Sequence, residues 1–175
     1  MADLKLERKF DIKRKRHYLN NNLTVLHCHH YATLFTQLAL DARDLVDGTR
    51  ILKESIEDVF FEVLSNYYKE NGITAHKDRW DIAFQMFSAV GMGKMGLVSG
   101  DIHGGEIDMP HAYVDEGWVK KWGKYKAPVN FIGAGYISGM FSAVFDKPTR
   151  TYKVTETLSE VMGAEKSHFK VTLQE

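Results

Sequence analysis

Three imidazoles and a thiol stand in a row at His27-Cys28-His29-His30. Neutral imidazole and thiolate are the usual protein ligands of zinc, and histidine is an axial ligand of haem iron. On an extended segment, however, successive side chains alternate, so His27 and His29 share one face while Cys28 and His30 point to the other. No three of them converge on one ion unaided; distant His103 or His111 would have to complete a set. Two readings stay open: a metal or haem at the His27–His30 cluster, or His27 or His29 as the polar anchor of an apolar pocket. The walls of such a pocket are drawn from an unusually aromatic chain, with ten Phe, eight Tyr and three Trp. Trp80, Phe84, Phe87, His111, Trp118, Phe131 and Tyr136, with Trp122 beside them, offer apolar surface and a few polar tips, the usual make-up of a small-molecule site. The same residues are also what a core needs. No nucleophile–base pair and no carboxylate pair at fixed spacing is found. Gly91-Met92-Gly93-Lys94-Met95-Gly96 looks like G-x-G-x-x-G but follows a helical pattern rather than a strand, the wrong context for a dinucleotide. No catalytic residue is assigned, and the balance is against an enzyme.

A second set of residues lies between Asn130 and Phe169. Gly135, Tyr136 and Gly139 write G-Y-x2-G, Lys147-Pro148 make a basic-proline turn, and Glu156, Ser159, Gly163 and Ser167 follow as E-x2-S-x3-G-x3-S. This segment resembles the close of the 4-vinyl reductase-type hydrocarbon-binding domain. That domain is also the effector-sensing domain of phenol- and xylene-responsive transcription activators. Members write C-(W/F)-x3-G-Y-x2-G and then E-x2-C-x3-G-x3-C. Where the zinc-binding members place three thiolates, this chain has Asn130, Ser159 and Ser167, and Glu156 alone is kept. A neutral hydroxyl or amide is a poor zinc ligand. The resemblance therefore implies a degenerate metal corner of Asn130, Glu156, Ser159 and Ser167, free of metal, with its hydroxyls bonded to nearby backbone groups.

The elements that must position these residues are read from hydrophobic period. Leu23 to His27 reads as a strand. Tyr31, Leu34, Phe35, Leu38, Ala42 and Leu45 recur at helical spacing as one buried stripe. Asp47-Gly48 breaks that helix, and Ile51 to Tyr67 keep the period for over four turns until Asn71-Gly72. Trp80, Ala83, Phe84 and Phe87 form a third stripe. Met95 to Met109 reads as two short strands around Gly104-Gly105. A short helix follows from Asp115 to Trp122, then one from about Val129 to Phe145. In the latter, Gly135 and Gly139 lie one turn apart, so another backbone can approach closely. Tyr152 to Leu158 and a return strand carrying Phe169, Val171 and Leu173 close the chain as a hairpin.

Composition bounds the class. With 175 residues, 44% of them hydrophobic, the chain suffices for one domain with a full core. The formal net charge is zero, so no global field draws the chain to nucleic acid or anionic lipid. Residues 1–17 read as a basic N-terminal arm that packs Leu4, Leu6, Phe10 and Ile12 on the body or on a partner; nucleic-acid binding is not expected of it. Residues 18–175 form the single ligand-binding domain. One cysteine fits a reducing compartment, and no segment approaches the ~20 apolar residues of a membrane helix, so a cytoplasmic location is expected.

The expectation is an α+β domain, helices packed on a small antiparallel sheet. The resemblance further implies the ligand-binding fold of the NO-signalling/Golgi-transport type, an interior cavity for an apolar ligand and, often, a twofold dimer. The sensors of the family hold an aromatic ligand between a His and a Trp. The Trp position falls near Ile107 to Met109 here, so a hydrophobic pocket is implied but phenol recognition is not. Since the chain ends six residues after Phe169, the expected protein is a stand-alone sensor, carrier or accessory protein for a hydrophobic or aromatic small molecule. It is expected to be homodimeric, without a resident cofactor, and in some settings to steady a partner enzyme. The alternative is an enzyme or accessory factor acting on a tetrapyrrole or aromatic substrate, with the metal or haem at the histidine cluster.

Overall fold

The computed structural model describes residues 2–174. Helices α1 (His29–Asp41), α2 (Gly48–Glu70), α3 (His76–Ala89), α4 (Tyr113–Trp122) and α5 (Phe131–Val144) pack on an antiparallel sheet of β4 (Gly93–Asp101), β5 (Gly104–Ala112), β6 (Tyr152–Leu158) and β7 (Ser167–Leu173), in the order β4-β5-β7-β6. A smaller antiparallel sheet precedes them, β1 (Arg8–Asp11), β2 (Arg16–Leu19) and β3 (Asn22–Thr24). This is the α+β architecture expected.

Helix α5 is the centre of the fold. Pro128 and Asn130 set its start, and Asn130 Oδ1 accepts the Gly133 N–H at 2.8 Å, a side-chain N-cap. Every residue from Ile132 to Val144 is buried, as suits a helix that is apolar or small all round. It lies on α2 because of its glycines. A Cβ on Gly139 would sit 2.6 Å from the Glu57 carbonyl oxygen, and one on Gly135 would strike the Lys53 carbonyl, so the two backbones touch where the sequence spacing allowed it. On the opposite side, alternate residues of the sheet, Ile107, Met109, Tyr152, Val154, Phe169 and Val171, complete the core.

Several elements depart from the sequence reading. The two short strands expected within Met95 to Met109 are longer, nine residues each from Gly93 to Ala112, and their turn is Ile102-His103, leaving Gly104 and Gly105 inside β5. Their neighbours explain the shift: a Cβ at Gly105 would strike the Ser99 carbonyl, so glycine serves close strand approach here and not the turn. The strand at Leu23–His27 is confined to Asn22–Thr24, and α1 begins at His29. Most important, the α1 stripe is not buried. Tyr31 is 49% exposed and Leu38 53%, with Leu34, Phe35 and Leu45 exposed too, while Ala32, Thr33, Thr36 and Ala39 face inward. The inward face is small because α1 packs tightly on α4, where Gly117 meets the His29 and Thr33 side chains.

The first residues are tied to the body. Lys5 N–H donates to the Tyr67 hydroxyl at 2.8 Å and Leu4 N–H to Gln85 Oε1 at 2.9 Å. Strand β2 runs across residues 17 and 18, so the basic segment and the start of the domain share one sheet.

The α2–α5 contact yields a direct test. Gly139→Ala is expected to lose about 1–3 kcal/mol of stability through overpacking. Gly96→Ala, with nothing within 4 Å of the added carbon, serves as the control and is expected to change stability little. Thermal and urea unfolding of the two variants measure the difference.

Candidate functional site

The aromatic and histidine candidates fall into three places. Trp80, Phe84 and Phe87 from α3 join Tyr136 from α5 in the main core. Their rings interlock: Phe87 and Tyr136 lie 4.8 Å apart edge to face, Trp80 meets Phe141 at 4.7 Å, and Trp80 stacks on half-buried Phe84 at 5.9 Å. The Tyr136 hydroxyl is satisfied by donating to the Ala83 carbonyl at 2.6 Å. Trp118 belongs to a separate cluster with Val129 and Val161, and it packs on Trp122 and Tyr125. Phe131 is half-buried at the start of α5. No one layer gathers them: α1 packs on α4 and α2, whereas α3 packs on β4 and α5.

The histidines stand apart from these rings. His27 is exposed and lies against Tyr31, and its backbone carbonyl accepts the Tyr113 hydroxyl at 2.9 Å. Because the helix starts at His29, the strand alternation expected of the cluster does not hold. His29 and His30 are neighbours on the first turn of α1, their rings 4.2 Å apart. His111 is exposed on β5, 3.6 Å from Glu116. Among the described residues, no group of three His, Cys, Asp or Glu side chains is placed to hold a metal ion.

Two cavities, of about 330 and 320 Å³, lie elsewhere, between the N-terminal segment and α2. Asn20, Asn21, Asn22, Glu62, Asn66 and Glu70 dominate the larger, a polar lining that does not suit an apolar ligand.

The C-terminal frame does come together. Register places Ser167 of β7 across from Met109 of β5, and a β-bulge between Glu156 and Leu158 precedes Ser159 at the start of the 3-10 turn Glu160–Met162. Asn130 N–H donates to Glu156 Oε2 at 3.2 Å, and Glu160 N–H donates to Ser167 Oγ at 3.1 Å. A residue outside the sequence frame joins them. Asp115, in the first turn of α4 and fully buried, accepts at Oδ2 from Ser167 Oγ at 2.8 Å and from Asn130 Nδ2 at 3.0 Å. Nothing in the local sequence marks it, since an acid at a helix start is common for the sake of the dipole alone. Asn130 is different: an Asn two residues after a proline and before an apolar run is a recognisable N-cap signal.

This donor set does not fit zinc. The Asn130 amide uses its oxygen to cap α5 and its nitrogen on Asp115; the Ser167 hydroxyl is committed in both directions. Buried carboxylates are left instead. Burial raises Asp115 to about 6, while burial and then the charge of Asp115 raise Glu156 to about 7. Glu160 is raised to about 7 by the same two causes in the same order. Asp115 Oδ1, Glu156 Oε1, Glu160 Oε1 and Ser159 Oγ have no hydrogen-bond partner among the described residues, so the backbone bond expected of the Ser159 hydroxyl is not formed.

The sign of the pH effect follows. A carboxyl group whose folded pKa is raised holds its proton more tightly in the folded state, so its stabilisation is complete below the unfolded value, near 4, and is lost as pH rises through the folded value. For Asp115 and Glu156 the loss runs from about pH 4 to above 7, at up to about 1.4 kcal/mol per pH unit for each proton, and half-exposed Glu160 adds less because solvent screens it. Asp108, lowered by hydrogen bonds from Lys166 and then His168, acts oppositely and only in acid. Thermal unfolding is therefore expected to give a higher midpoint near pH 5 than near pH 8. Asp115→Asn combined with Glu156→Gln is expected to shrink that difference.

No family model matches the sequence, and no curated protein does. Solved structures do match. The fold aligns over 95% of this chain, and 84% of the other, with the phenol-responsive sensory domain of the transcription activator PoxR with phenol, at a TM-score of 0.79 and 13% identity. A vinyl-4-reductase family protein from Methanocaldococcus jannaschii aligns over 87% of this chain and 85% of that one, at 0.58 and 14%. Subunit 3 of a trafficking protein particle complex from Naegleria fowleri, covalently bound to palmitic acid, aligns over 83% and 91%, at 0.56 and 14%. The chain has the fold these proteins share, which is the α+β fold that the C-terminal resemblance implied.

Proposed function

We propose that the chain is a small-molecule-binding module that senses or carries a hydrophobic or aromatic ligand, in itself or in support of a partner enzyme. The observation that carries this reading is the likeness, over nearly the full chain, to a sensory domain responsive to phenol. The ring cluster of Trp80, Phe84, Phe87, Tyr136 and Phe141 supports it, because its rings interlock into one aromatic wall on which Phe84 is only half-buried. Trp80 there also borders Gly100 and Leu97 of β4, at the edge of the sheet. The rings touch one another, so a ligand enters by displacing Phe84 and the Leu97 side chain rather than by filling a preformed hole. In this reading the corner of Asn130, Glu156, Ser159 and Ser167 is a degenerate zinc site, the exposed free thiol of Cys28 suits a reducing cytoplasm, and the protein holds no cofactor.

The same reading includes a twofold homodimer. The support is the outward stripe of α1, Tyr31, Leu34, Phe35 and Leu38, spaced as one helical face, with Leu23, Val25 and Leu26 exposed just before it. A contiguous apolar face of this kind is costly to leave in water, and a self-complementary helix face suits a twofold axis.

Three measurements test these statements. Aromatic and aliphatic compounds are screened by thermal shift; a true ligand at a hundred times its dissociation constant adds about 2.7 kcal/mol. Phe84→Ala is expected to keep its fold and lose most of that response. If no apolar compound stabilises the parent protein, the ligand-binding reading fails. An absorption spectrum of freshly purified protein showing a Soret or iron band would instead favour chemistry at the histidines. Light scattering at micromolar concentration is expected to report twice the 20.0 kDa chain mass, and the chain mass itself for Leu34→Glu with Leu38→Glu; a monomeric parent refutes the dimer.

A further inference from the structure

The corner at the start of α5 has the geometry of a cross-link, and its centre is a carboxyl group. Asp115 Oδ2 receives two donors, from Ser167 on β7 and from Asn130 at the α5 N-cap. Each of these is bonded onward: Asn130 Oδ1 to the Gly133 N–H, Asn130 N–H to Glu156 on β6, and Ser167 Oγ to the Glu160 N–H. Asp115 thus ties α4, α5, both strands of the last hairpin and the 3-10 turn between them. A metal at such a corner is a positive centre that collects lone pairs. Here the polarity is reversed, with a carboxyl oxygen collecting N–H and O–H groups. The neutral Asn and Ser that are poor ligands for a cation are good donors to an acid. The groups around the cluster are consistent with this. Glu156, Glu160 and Glu116 face Asp115 from β6, the 3-10 turn and its own helix, and no cation is among the groups that shift Asp115, Glu156 or Glu160. From α1, His29 packs on Gly117, two residues along α4 from Asp115, and Lys124 lies over Gly163.

We propose that Asp115 is the positioning residue of this corner, holding α4 and the β6–β7 hairpin on the start of α5 in place of any metal ion. The inference is independent of ligand binding and rests only on the hydrogen-bond geometry.

A double-mutant cycle decides it. Asp115→Asn keeps an acceptor oxygen at the centre and is expected to melt near the parent. Asn130→Asp still caps α5 but removes a donor and sets a carboxylate against Asp115. It is expected to lower the melting temperature by about 5 °C or more, with faster amide exchange at Glu160 and Gly133 and unchanged exchange at Ile137 in the α2–α5 contact. Combining Asp115→Asn with Asn130→Asp restores a donor–acceptor pair with its direction reversed. That protein is expected to recover most of the loss and the exchange protection. A metal corner responds in the opposite way, since Asn130→Asp adds a carboxylate ligand. The proposal is overturned if Asn130→Asp matches or exceeds the parent in stability, if it or the parent purifies with about one zinc per chain, or if the combined variant is no better than Asn130→Asp alone. Should Asn130→Asp not fold by itself, a folded combined variant supports the proposal and an unfolded one refutes it.

Discussion

Everything in this fold is arranged around a helix with no polar face. Helix α5 is buried from Ile132 to Val144, and the two helix turns of contact with α2 exist because Gly135 and Gly139 carry no side chain. Close backbone approach gives α5 many dispersion contacts on that side, while the sheet supplies Met109, Phe169 and Tyr152 on the other. Most polar atoms trapped by such burial find local partners, although the Ser142 hydroxyl has none among the described residues. Ser138 Oγ donates to the Tyr152 carbonyl at 2.9 Å, and Tyr136 reaches the Ala83 carbonyl. The N-terminal end of α5, where backbone N–H groups have no helical partner, is the one place that needs a dedicated polar device. The Asn130 corner is that device.

The consequence is a division of labour along α5. Its start is polar, cross-linked and crowded with acids whose pKa values are raised by burial. Its middle and end meet α3 through aromatic rings, Tyr136 against Phe87 and Phe141 against Trp80. Glu57, buried on α2, accepts the Arg150 N–H at 2.6 Å, and the Arg150 guanidinium forks onto Asp58 at 2.6 and 2.7 Å. This pair anchors the loop into β6 at the far end. Arg79 of α3 donates to the Ala143 and Val144 carbonyls at 3.3 and 2.9 Å, so the far end of α5 is tied to α3.

Much of this was legible in the chain. The glycine pair announced a close backbone approach, the alternating C-terminal residues announced a hairpin, and the resemblance carried by Asn130 to Ser167 implied residues that meet. What failed did so for reasons of context. The α1 period was correct as a helix, yet its apolar stripe faces water and its Ala and Thr residues face α4. Periodicity identifies which residues share a face; it does not say which face the neighbour wants, and Gly117 selected the small one. The histidine row was read as a strand, and a helix that starts at His29 changes which rings are adjacent. The aromatic candidates were chosen by type, which cannot separate Trp118 from Trp80, although they occupy different clusters.

The sequence by itself determined the helices, the C-terminal hairpin and a close backbone approach on α5, because these depend on local period and on backbone freedom at glycine; four members of the polar corner were implied by the family resemblance. Only the tertiary structure decided that Asp115 is its centre, that the α1 stripe is exposed, and that the aromatic residues form closed clusters. Each of these turns on residues far apart in the chain, 15 positions from Asp115 to Asn130 and 52 to Ser167. No rule of spacing carries information over such separations; packing of α4 between α1 and the last hairpin brings them within hydrogen-bond reach.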